Sequence, residues 1–417
     1  MSAPRPRRRR SAAAPAVLAV AALAVTTACS APAAEAPTAE DRPWDEVLAE
    51  ADGQTVRMWM YGGDDQGNAY VDDVLAPAAA ELGVTLERVP VADTGDAVNR
   101  ILSERRAGVT DGEVDLVWVN GDNFATGRQA GAWLCDWTDA LPGMAYTDPD
   151  DPLLTTDFGV PVDGCEAPWH KAQFTLVYDS ARVPEPPTTL DGLLEWVEQN
   201  PGRFTYPAPP DFTGSVFVRQ VLSTVSGGSD EVPLEFSQEA YDELAPALFD
   251  RLGELAPALW RGGDTYPQTL QELDQLYADG QVDVTMTYGP ATLTQLVQDG
   301  TFPATTRVLI LDEGTIGNAS FLAIPSTSGS QEGAMVVADL ALSPGQQAAK
   351  ADPATWGQFT VLDLDRLEPE DRAAFDRLPA SPIVPSYEEL SAGADPELGP
   401  EWVTALDEGW RRAVLAP

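Results

Sequence analysis

The sequence predicts an α/β fold, and three observations support this prediction. Between residues 55 and 130, segments typical of strands alternate with segments of helical spacing, which indicates a parallel sheet with crossover helices. Residues 114–119 are almost continuously apolar and rich in β-branched side chains, as in a strand buried on both faces. Each of these strands is followed by a loop rich in Gly, Asp or Asn, so the loops gather at one edge of the sheet.

The first half of the chain supplies three predicted strands and the helices that follow them. Residues 55–60 alternate apolar and polar side chains, residues 84–89 form a second strand, and residues 114–119 form the third. Helical spacing covers residues 68–82 and 98–105, and the polar turn after the third strand leads into another helical segment. Asp93, Thr94 or Asp96 can cap the helix at 98–105.

The strand–helix pattern restarts after a proline-rich stretch at residues 184–187, which indicates a second domain. Strands are predicted at residues 174–178, 203–206, 282–288, 308–311 and 320–324. Helices are predicted at residues 190–197, 216–222, 242–260, 269–278 and 291–297, and the remainder is mostly helical. Trp402, Leu406 and Trp410 recur every four residues, which indicates a helical stripe that faces a core. Residues 134–165, rich in Pro, Asp and Gly, predict an irregular excursion.

The first 29 residues predict a secretory signal rather than part of the fold. Five Arg residues precede a mostly apolar segment at 12–28, which is shorter than the roughly 20 residues of a membrane-spanning helix. The signal ends at a Cys that follows small residues, and this pattern predicts lipidation of Cys29. Thr26 departs from the usual motif, which carries Leu at that position, so lipidation stays an open question. Residues 30–43, rich in Ala, Pro and Glu, predict a tether.

Cysteine count and charge narrow the possible functions. An exported chain leaves Cys135 and Cys165 in an oxidising compartment, where we expect them to form a disulfide. Because His170 is the only histidine and two cysteines stand 30 positions apart, no zinc ligand set is predicted, and no metal or cofactor is expected. The formal net charge of −41 argues against nucleic-acid binding, which requires a basic surface.

Motifs of nucleophilic catalysis and of nucleotide binding are missing from the sequence. Neither G-x-S-x-G, nor a Walker A motif, nor G-x-G-x-x-G occurs, so ATP hydrolysis would have to reside on a partner subunit. A lone His170 is more often structural than catalytic. A secreted glycoside hydrolase is the best enzymatic alternative because it needs only two carboxylates and aromatic platforms. With 66 acidic residues, a suitable pair is expected by chance, so this alternative gains no positive support.

Five segments, in this order, carry a resemblance to a known family: "VWVNGDNF", "FTLVYDSARVP", "TTLDGLLEWVEQNPGRFTYPAP", "GQVDVTMTYGPA" and "ASFLAIPSTSG…MVVADLALSPGQQAA". The chain after its signal resembles substrate-binding lipoproteins of ABC importers with the type II periplasmic-binding-protein fold. The first segment and "DTGDAVNRIL" before it resemble the YnjB-type extracellular solute-binding proteins. The resemblance implies two α/β lobes joined by two crossing strands, near residues 179–184 and 313–318, with ligand held between the lobes. It places a first lobe at 44–180 and 317–417 and a second lobe at 181–316.

In this architecture a ligand contacts the loops after the strands and the N-termini of the helices behind them. The predicted ligand-binding residues are Tyr61, Gly62, Asp64, Asn120, Gly121, Asp122, Asn123, Asp211, Thr213, Gly214, Ser215, Tyr288 and Asn318. Further candidates in the same loops are Gly63, Pro210, Phe212, Gly289 and Ser320. Ordinary turn chemistry is the alternative explanation for each Gly, Asn and Asp among them. We expect Trp59, Trp118 and Trp169 to lie in cores, because each sits within or beside an apolar strand.

The candidate loops carry several carboxylates and aromatic rings but almost no Arg or Lys. This composition favours an organic cation of the thiamine or polyamine type, bound by ion pairing and cation–π contacts. Carbohydrate is the second possibility, because Asp, Asn and stacking rings also hold sugars. The resemblance further implies a monomer that closes over a small ligand and delivers it to a permease and its ATPase subunits. It places the protein on the outer face of the cytoplasmic membrane, held there by lipid at Cys29.

Overall fold

The computed structural model describes residues 42–415. The predicted signal, its Cys29 and residues 30–41 of the predicted tether lie outside this range. None of the helices within it is long and apolar enough to cross a membrane.

The strands are β1 (Thr55–Tyr61), β2 (Thr85–Val91), β3 (Leu116–Val119), β4 (Thr156–Asp157), β5 (Val160–Pro161), β6 (Glu166–Gln173), β7 (Thr175–Asp179), β8 (Val284–Thr287), β9 (Thr306–Leu309), β10 (Ile316–Ala323) and β11 (Asp395–Pro396).

The helices are α1 (Trp44–Ala51), α2 (Asp65–Tyr70), α3 (Ala76–Glu81), α4 (Thr94–Ala107), α5 (Gly121–Gln129), α6 (Pro152–Thr155), α7 (Leu190–Gln199), α8 (Phe212–Ser226), α9 (Gln238–Leu255), α10 (Leu270–Ala278), α11 (Leu293–Gln298), α12 (Gln331–Leu342), α13 (Pro344–Ala351), α14 (Pro369–Asp376), α15 (Tyr387–Leu390) and α16 (Pro400–Trp410).

A large mixed sheet contains the first three strands, as the sequence predicts. Its order is β11-β10-β3-β1-β2, with β6 paired to the other side of β10. Strands β1, β2 and β3 run parallel, which confirms the crossover pattern predicted between residues 55 and 130. Strand β10 runs antiparallel to both β3 and β6. The carboxyl ends of β1 and β3 and the middle of the β6–β10 ladder therefore meet at one edge.

Acidic side chains cap the helices that follow β1 and β2. Asp64 accepts a hydrogen bond from the Gly67 N–H at the start of α2, and Asp93 does the same for Gly95 at the start of α4. Asp93 is thus the cap among the three alternatives that the sequence left open. Because a capping carboxylate satisfies the free N–H groups of the first turn, the chain turns from strand to helix within two or three residues.

A second, smaller sheet is antiparallel and has the strand order β8-β7-β9. The chain passes from the large sheet to the small one at Phe174, between β6 and β7, and returns between β9 and β10. One hydrophobic core packs against the large sheet, where a smaller cluster also contains Val117, Val119 and Phe124, and a second core surrounds the small sheet. The predicted lobe boundaries remain a prediction, and α16 differs from them. Its Trp402, Leu406 and Trp410 are buried in the second core. The sequence did not predict this, because an apolar stripe indicates that a helix faces a core but not which core.

Two further elements differ from the sequence prediction. Residues 203–206, predicted as a strand, form a buried segment without regular pairing that leads into α8. Strand β6 was not predicted, because its residues include Glu, His, Lys and Gln, yet seven of its eight residues are buried. In the excursion at 134–165, β4 and β5 form a short hairpin. The predicted disulfide between Cys135 and Cys165 is confirmed.

Candidate functional site

A cleft of about 540 Å³ lies between the edge of the large sheet and the strand and helix ends of the small-sheet side. Its lining from the large-sheet side is Tyr61, Gly63, Asp64, Asp65, Gln66, Trp118, Asn120, His170, Ala172, Asn318, Ser320 and Gln358. Its lining from the small-sheet side is Phe212, Thr213, Leu270, Thr287, Tyr288, Gly289, Thr292, Gln295, Leu296 and Asp299. The volume is within the range of pockets that enclose a small organic molecule.

The last residue of β1, Tyr61, and the loop after it, with Asp64, lie at the mouth of the cleft. The Asp64 carboxylate accepts hydrogen bonds from the Gly67 N–H at 3.0 Å and from the Trp356 indole Nε1–H at 2.7 Å. A side chain at position 63 would begin 2.2 Å from the Tyr61 hydroxyl, so the tyrosine can fold back over the loop only because residue 63 is glycine. Tyr61 remains among the exposed large side chains, free to contact a ligand.

The antiparallel pair β6–β10 forms the floor of the cleft. Ser320 pairs with His170 and Asn318 pairs with Ala172, so these four side chains share one face of the ladder. The pairing register shifts between Ser320 and Phe321. Because successive side chains of a strand point to opposite faces, Trp169 points into the first core while His170 lines the cleft.

Aromatic rings surround His170. Its ring centroid lies 5.4 Å from those of Trp118 and Trp169 and 5.1 Å from that of Trp356. Burial, and secondly the nearby Lys350, hold the pKa of His170 well below its usual value. Burial likewise lowers the pKa of Lys350, whose ammonium group donates to the Trp169 carbonyl. At neutral pH His170 is therefore an uncharged imidazole with one donor and one acceptor nitrogen.

Some polar atoms of the floor have no hydrogen-bond partner among the described residues. They are both amide atoms of Asn318 and the Nδ1 atom of His170. Asn318 is 5% exposed and His170 is 3% exposed. Because buried polar groups are nearly always hydrogen-bonded, these atoms mark the part of the cleft where a ligand would find partners.

The opposite wall carries Tyr288, held by a buried ionic network. The Tyr288 hydroxyl donates to the Glu397 carboxylate at 3.0 Å, and Arg219 donates to both oxygens of Glu397 at 2.8 and 2.9 Å. The side chains of Arg219 and Glu397 are 1% and 2% exposed. Arg219 also donates to the Ser215 hydroxyl, which donates to Asp407. Burial raises the pKa of Tyr288 well above its usual value, so the hydroxyl keeps its proton.

The comparison with protein families decides the identity of the chain. Residues 73–363 match the family model described as bacterial extracellular solute-binding protein. The chain belongs to this family. Protein YnjB of Escherichia coli (strain K12) is a relative of this solute-binding protein, with 37% identity over 368 residues that span 88% of this chain and 92% of YnjB. Membership of a solute-binding family agrees with the prediction that the protein is not an enzyme.

Solved structures confirm the predicted fold of this solute-binding protein. An ABC transporter protein from Clostridium perfringens ATCC 13124 superposes with a TM-score of 0.62 at 12% identity, covering 86% of this chain and 99% of its own. The spermidine/putrescine substrate-binding protein PotD of Streptococcus pneumoniae gives 0.60 at 14% identity, covering 86% and 97%. A periplasmic thiamin binding protein gives 0.56 at 18% identity, covering 86% and 96%. At these identities the similarity shows the type II periplasmic-binding-protein fold alone.

The structure of the solute-binding protein brings some of the predicted ligand-binding residues to the cleft and gives others different surroundings. Those that line it are Tyr61, Asp64, Asn120, Thr213, Tyr288 and Asn318. Those that do not line it are Gly62, Gly121, Asp122, Asn123, Asp211, Gly214 and Ser215.

Helix starts and close packing account for several of the residues outside the lining. Asp211 caps α8 through the N–H groups of Thr213 and Gly214, and its other oxygen accepts from the Leu270 N–H at 3.1 Å. Gly214 packs so closely that a Cβ would lie 2.0 Å from the Pro207 carbonyl oxygen. Ser215 belongs to the network around Arg219. The Gly121 N–H donates to both carboxylate oxygens of the buried Asp157, whose pKa burial raises to about 8.

Several lining residues are absent from the predicted ligand-binding set, and Trp118, His170 and Gln358 are examples. Trp118, expected in a core, is half-buried and lines the cleft. His170 and Gln358 lie in segments without a recognised strand–turn–helix pattern. Trp169, in contrast, is fully buried as expected. No local sequence signal finds His170, because its place at the cleft depends on the pairing of β6 with the strand that carries Asn318 and Ser320.

The charge of the cleft is negative. Among the described residues that line it, three are carboxylates (Asp64, Asp65 and Asp299) and none is Arg or Lys. Within residues 42–415, no group of three or more His, Cys, Asp or Glu side chains is arranged to hold a metal ion.

Proposed function

We propose that this protein is the extracytoplasmic solute-binding component of an ABC importer, which captures a small polar ligand in the cleft and delivers it to a membrane permease. The observation that carries the proposal is the lining of one cleft by strand ends and helix starts from both sheets. In open α/β sheets, ligands bind outside the carboxyl ends of the strands. One fold neighbour is described as an ABC transporter and another as an ABC transporter substrate-binding protein, and both descriptions support the same role.

The proposed ligand is an organic cation of the thiamine or polyamine type. Tyr61, Trp118 and Phe212 present aromatic rings to the cleft, while Asp65 and Asp299 are exposed carboxylates at its rim. Aromatic faces attract cations, and an anion would normally recruit Arg or Lys, which this lining does not contain. Among the fold neighbours, one is described as a thiamin binding protein and another as a spermidine/putrescine binding protein.

Carbohydrate is the second candidate, and a specific observation favours it. In addition to the Trp118 ring, the cleft is lined by the amide side chains of Asn120, Gln66, Gln295 and Gln358. Amides and a stacking aromatic ring suit sugar hydroxyl groups and the apolar face of a pyranose. The two candidates differ in their dependence on charge, because cation binding requires the rim carboxylates and weakens with added salt.

The proposed mechanism is closure of two lobes, predicted as 44–180 with 317–417 and as 181–316, about the strands that connect them. Glu397 and α16 would move with the second lobe, because α16 packs against its core and Glu397 binds Arg219. Contacts from Tyr61 and Asn318 on one side and Tyr288 on the other would stabilise the closed state, because a ligand shifts the equilibrium toward the state that it binds more tightly. We further propose that the protein is a monomer, that lipid at Cys29 anchors it, and that permease and ATPase subunits are its partners.

A thermal-shift panel on the protein, refolded to remove carried-over ligand, tests the ligand class. Thiamine, putrescine, maltose, glucose and sulfate are each added at high concentration, because a ligand at 100 times its Kd stabilises by about 2.7 kcal/mol. We expect a selective rise in Tm with a cation, which shrinks in Asp65→Asn and Asp299→Asn. The exposed Asp250→Asn on α9 is the matched control and should leave the shift unchanged. A shift with a sugar that neither rim substitution alters would replace the cation with carbohydrate.

A further inference from the structure

The floor of the cleft differs in chemistry from its acidic rim. We call His170, Asn318 and Ser320 the floor patch; all three line the cleft, and each is at least nine-tenths buried. None carries a formal charge at neutral pH, because burial holds the pKa of His170 well below its usual value. The carboxylates Asp65 and Asp299 lie at exposed positions of the rim instead.

The floor patch has unused hydrogen-bonding capacity. Both amide atoms of Asn318 and the Nδ1 atom of His170 are buried and lack a partner among the described residues. A primary amide offers donor and acceptor atoms side by side, and a neutral imidazole offers one of each. A positively charged ligand group would find no carboxylate in the floor patch, and burying an unpaired charge is far more costly than burying a neutral polar group.

The shape of the surroundings favours a flat group. The Trp118 and Trp356 rings stand within 5.4 Å of the His170 ring, measured between centroids, and Trp118 itself lines the cleft. Ala172 lies opposite Asn318 on the same face of the ladder, and both residues line the cleft. A planar ring or amide can approach the Asn318 edge while it contacts the indole face.

We propose that the floor patch binds an uncharged, flat group that presents a donor and an acceptor side by side, such as a carboxamide, a ureide or the edge of an aza-aromatic ring. This inference rests on the solute-binding role proposed above and refines it. The ligand is then a cation that carries a hydrogen-bonding heteroaromatic or amide end, oriented with its charge toward the rim, rather than an aliphatic polyamine. Asn318 forms hydrogen bonds with the flat end of the ligand, and the rim carboxylates form ion pairs with its charged end.

A structural role for Asn318 predicts the opposite behaviour from a binding role. If its amide served the fold, Asn318→Leu would lower the Tm of the ligand-free protein. If the amide instead serves to bind a ligand, the same substitution replaces an unpartnered buried polar group with an apolar group of similar size. Removing such a group is neutral or stabilising, so the ligand-free Tm should stay constant or rise by about 2–4 °C. Ligand affinity should fall at the same time.

Isothermal titration with matched probe pairs tests the inference. Each pair keeps the cation and changes only the flat end: thiamine against the thiazolium in which a benzyl group replaces the aminopyrimidine, and 1-methylnicotinamide against 1-methylpyridinium. Putrescine serves as the aliphatic cation, and nicotinamide and cytosine serve as uncharged flat probes. We expect the intact member of at least one pair to bind roughly tenfold or more tightly than its analogue, and Asn318→Leu to remove this difference. Ser320→Ala, which deletes a neighbouring hydroxyl, is the second variant.

The outcomes separate the two proposals. Tight putrescine binding that Asn318→Leu leaves unchanged would overturn the flat-group inference while the cation proposal stands. Binding of nicotinamide or cytosine, sensitive to Asn318→Leu, without binding of any cation would uphold the floor patch and overturn the cation proposal. A lower ligand-free Tm of Asn318→Leu, or no binding of any flat probe to the wild-type protein, would overturn the inference.

Discussion

Removing the negative charge of Glu397 is expected to destabilise the protein strongly. Glu397 is the bidentate partner of Arg219, at 2.8 and 2.9 Å, and neither side chain is more than 2% exposed. In Glu397→Gln the amide oxygen can still accept from Tyr288, but Arg219 is left as a buried guanidinium without its carboxylate. Breaking a buried ion pair from one side costs about 3–5 kcal/mol. Because Asp407 lies near Arg219 through Ser215, we expect a loss close to the lower value, about 3 kcal/mol.

Urea unfolding followed by far-ultraviolet circular dichroism measures this loss as a change in the free energy of unfolding. The matched control is Glu408→Gln, which breaks an exposed ion pair between Glu408 on α16 and Arg412, two residues after the end of α16. This substitution should change the free energy of unfolding by no more than a few tenths of a kcal/mol. The double variant Arg219→Met, Glu397→Met removes both charges and should recover most of the loss. A single variant within about 0.5 kcal/mol of wild type, or a double variant as unstable as the single one, would refute the reasoning.

Three further predictions concern residues away from this ion pair. Burial raises the pKa of Asp157 to about 8 from 3.8, so its contribution to stability is present below pH 4 and is lost as pH rises toward 8. The free energy of unfolding of Asp157→Asn, measured in urea, should therefore rise relative to that of wild type over this range, by up to about 1.4 kcal/mol per pH unit. A difference between the two proteins that stays constant with pH would contradict this. Replacing Cys135 and Cys165 with Ser opens a loop with a sequence separation of 30 residues and should lower the free energy of unfolding by about 3–4 kcal/mol. Dithiothreitol should lower the Tm of wild type only. Gly214→Ala should cost about 1–3 kcal/mol because its Cβ would meet the Pro207 carbonyl, whereas Gly253→Ala, in open space on α9, should stabilise by about 0.5–1 kcal/mol.

The parts of the fold that sequence predicts are those where one residue pattern has one structural meaning. Strand β1 follows from alternating apolar and polar residues, β3 follows from an almost continuous apolar run, and α4 follows from helical spacing behind Asp93. Strand β6 did not follow, because its Glu166 and His170 are buried by neighbouring elements that no local pattern reveals. Propensity is a weak prior where burial on both faces overrides polarity.

The candidate site shows the same division between local and long-range information. The rule that ligands meet strand ends and helix starts places Tyr61, Asp64 and Tyr288 at the cleft. The same rule selects Asp211, which instead caps α8 and ties it to α10, because an Asp after a strand suits a helix cap as well as a ligand. Asn318 lies at the cleft because β10 pairs with β6, a pairing of residues more than 140 positions apart.

The cluster of Trp118, Trp169 and Trp356 gives the protein an intrinsic spectroscopic signal for occupancy of the cleft. Their ring centroids lie 5.2–5.9 Å apart, and the pairs meet edge to face. Indoles this close share their electronic excitation, so the near-ultraviolet circular dichroism of the cluster depends on its geometry. Only Trp118 of the three also lines the cleft. A molecule that stacks on it would therefore change the coupled spectrum of all three rings, and occupancy of the cleft can be followed without a label.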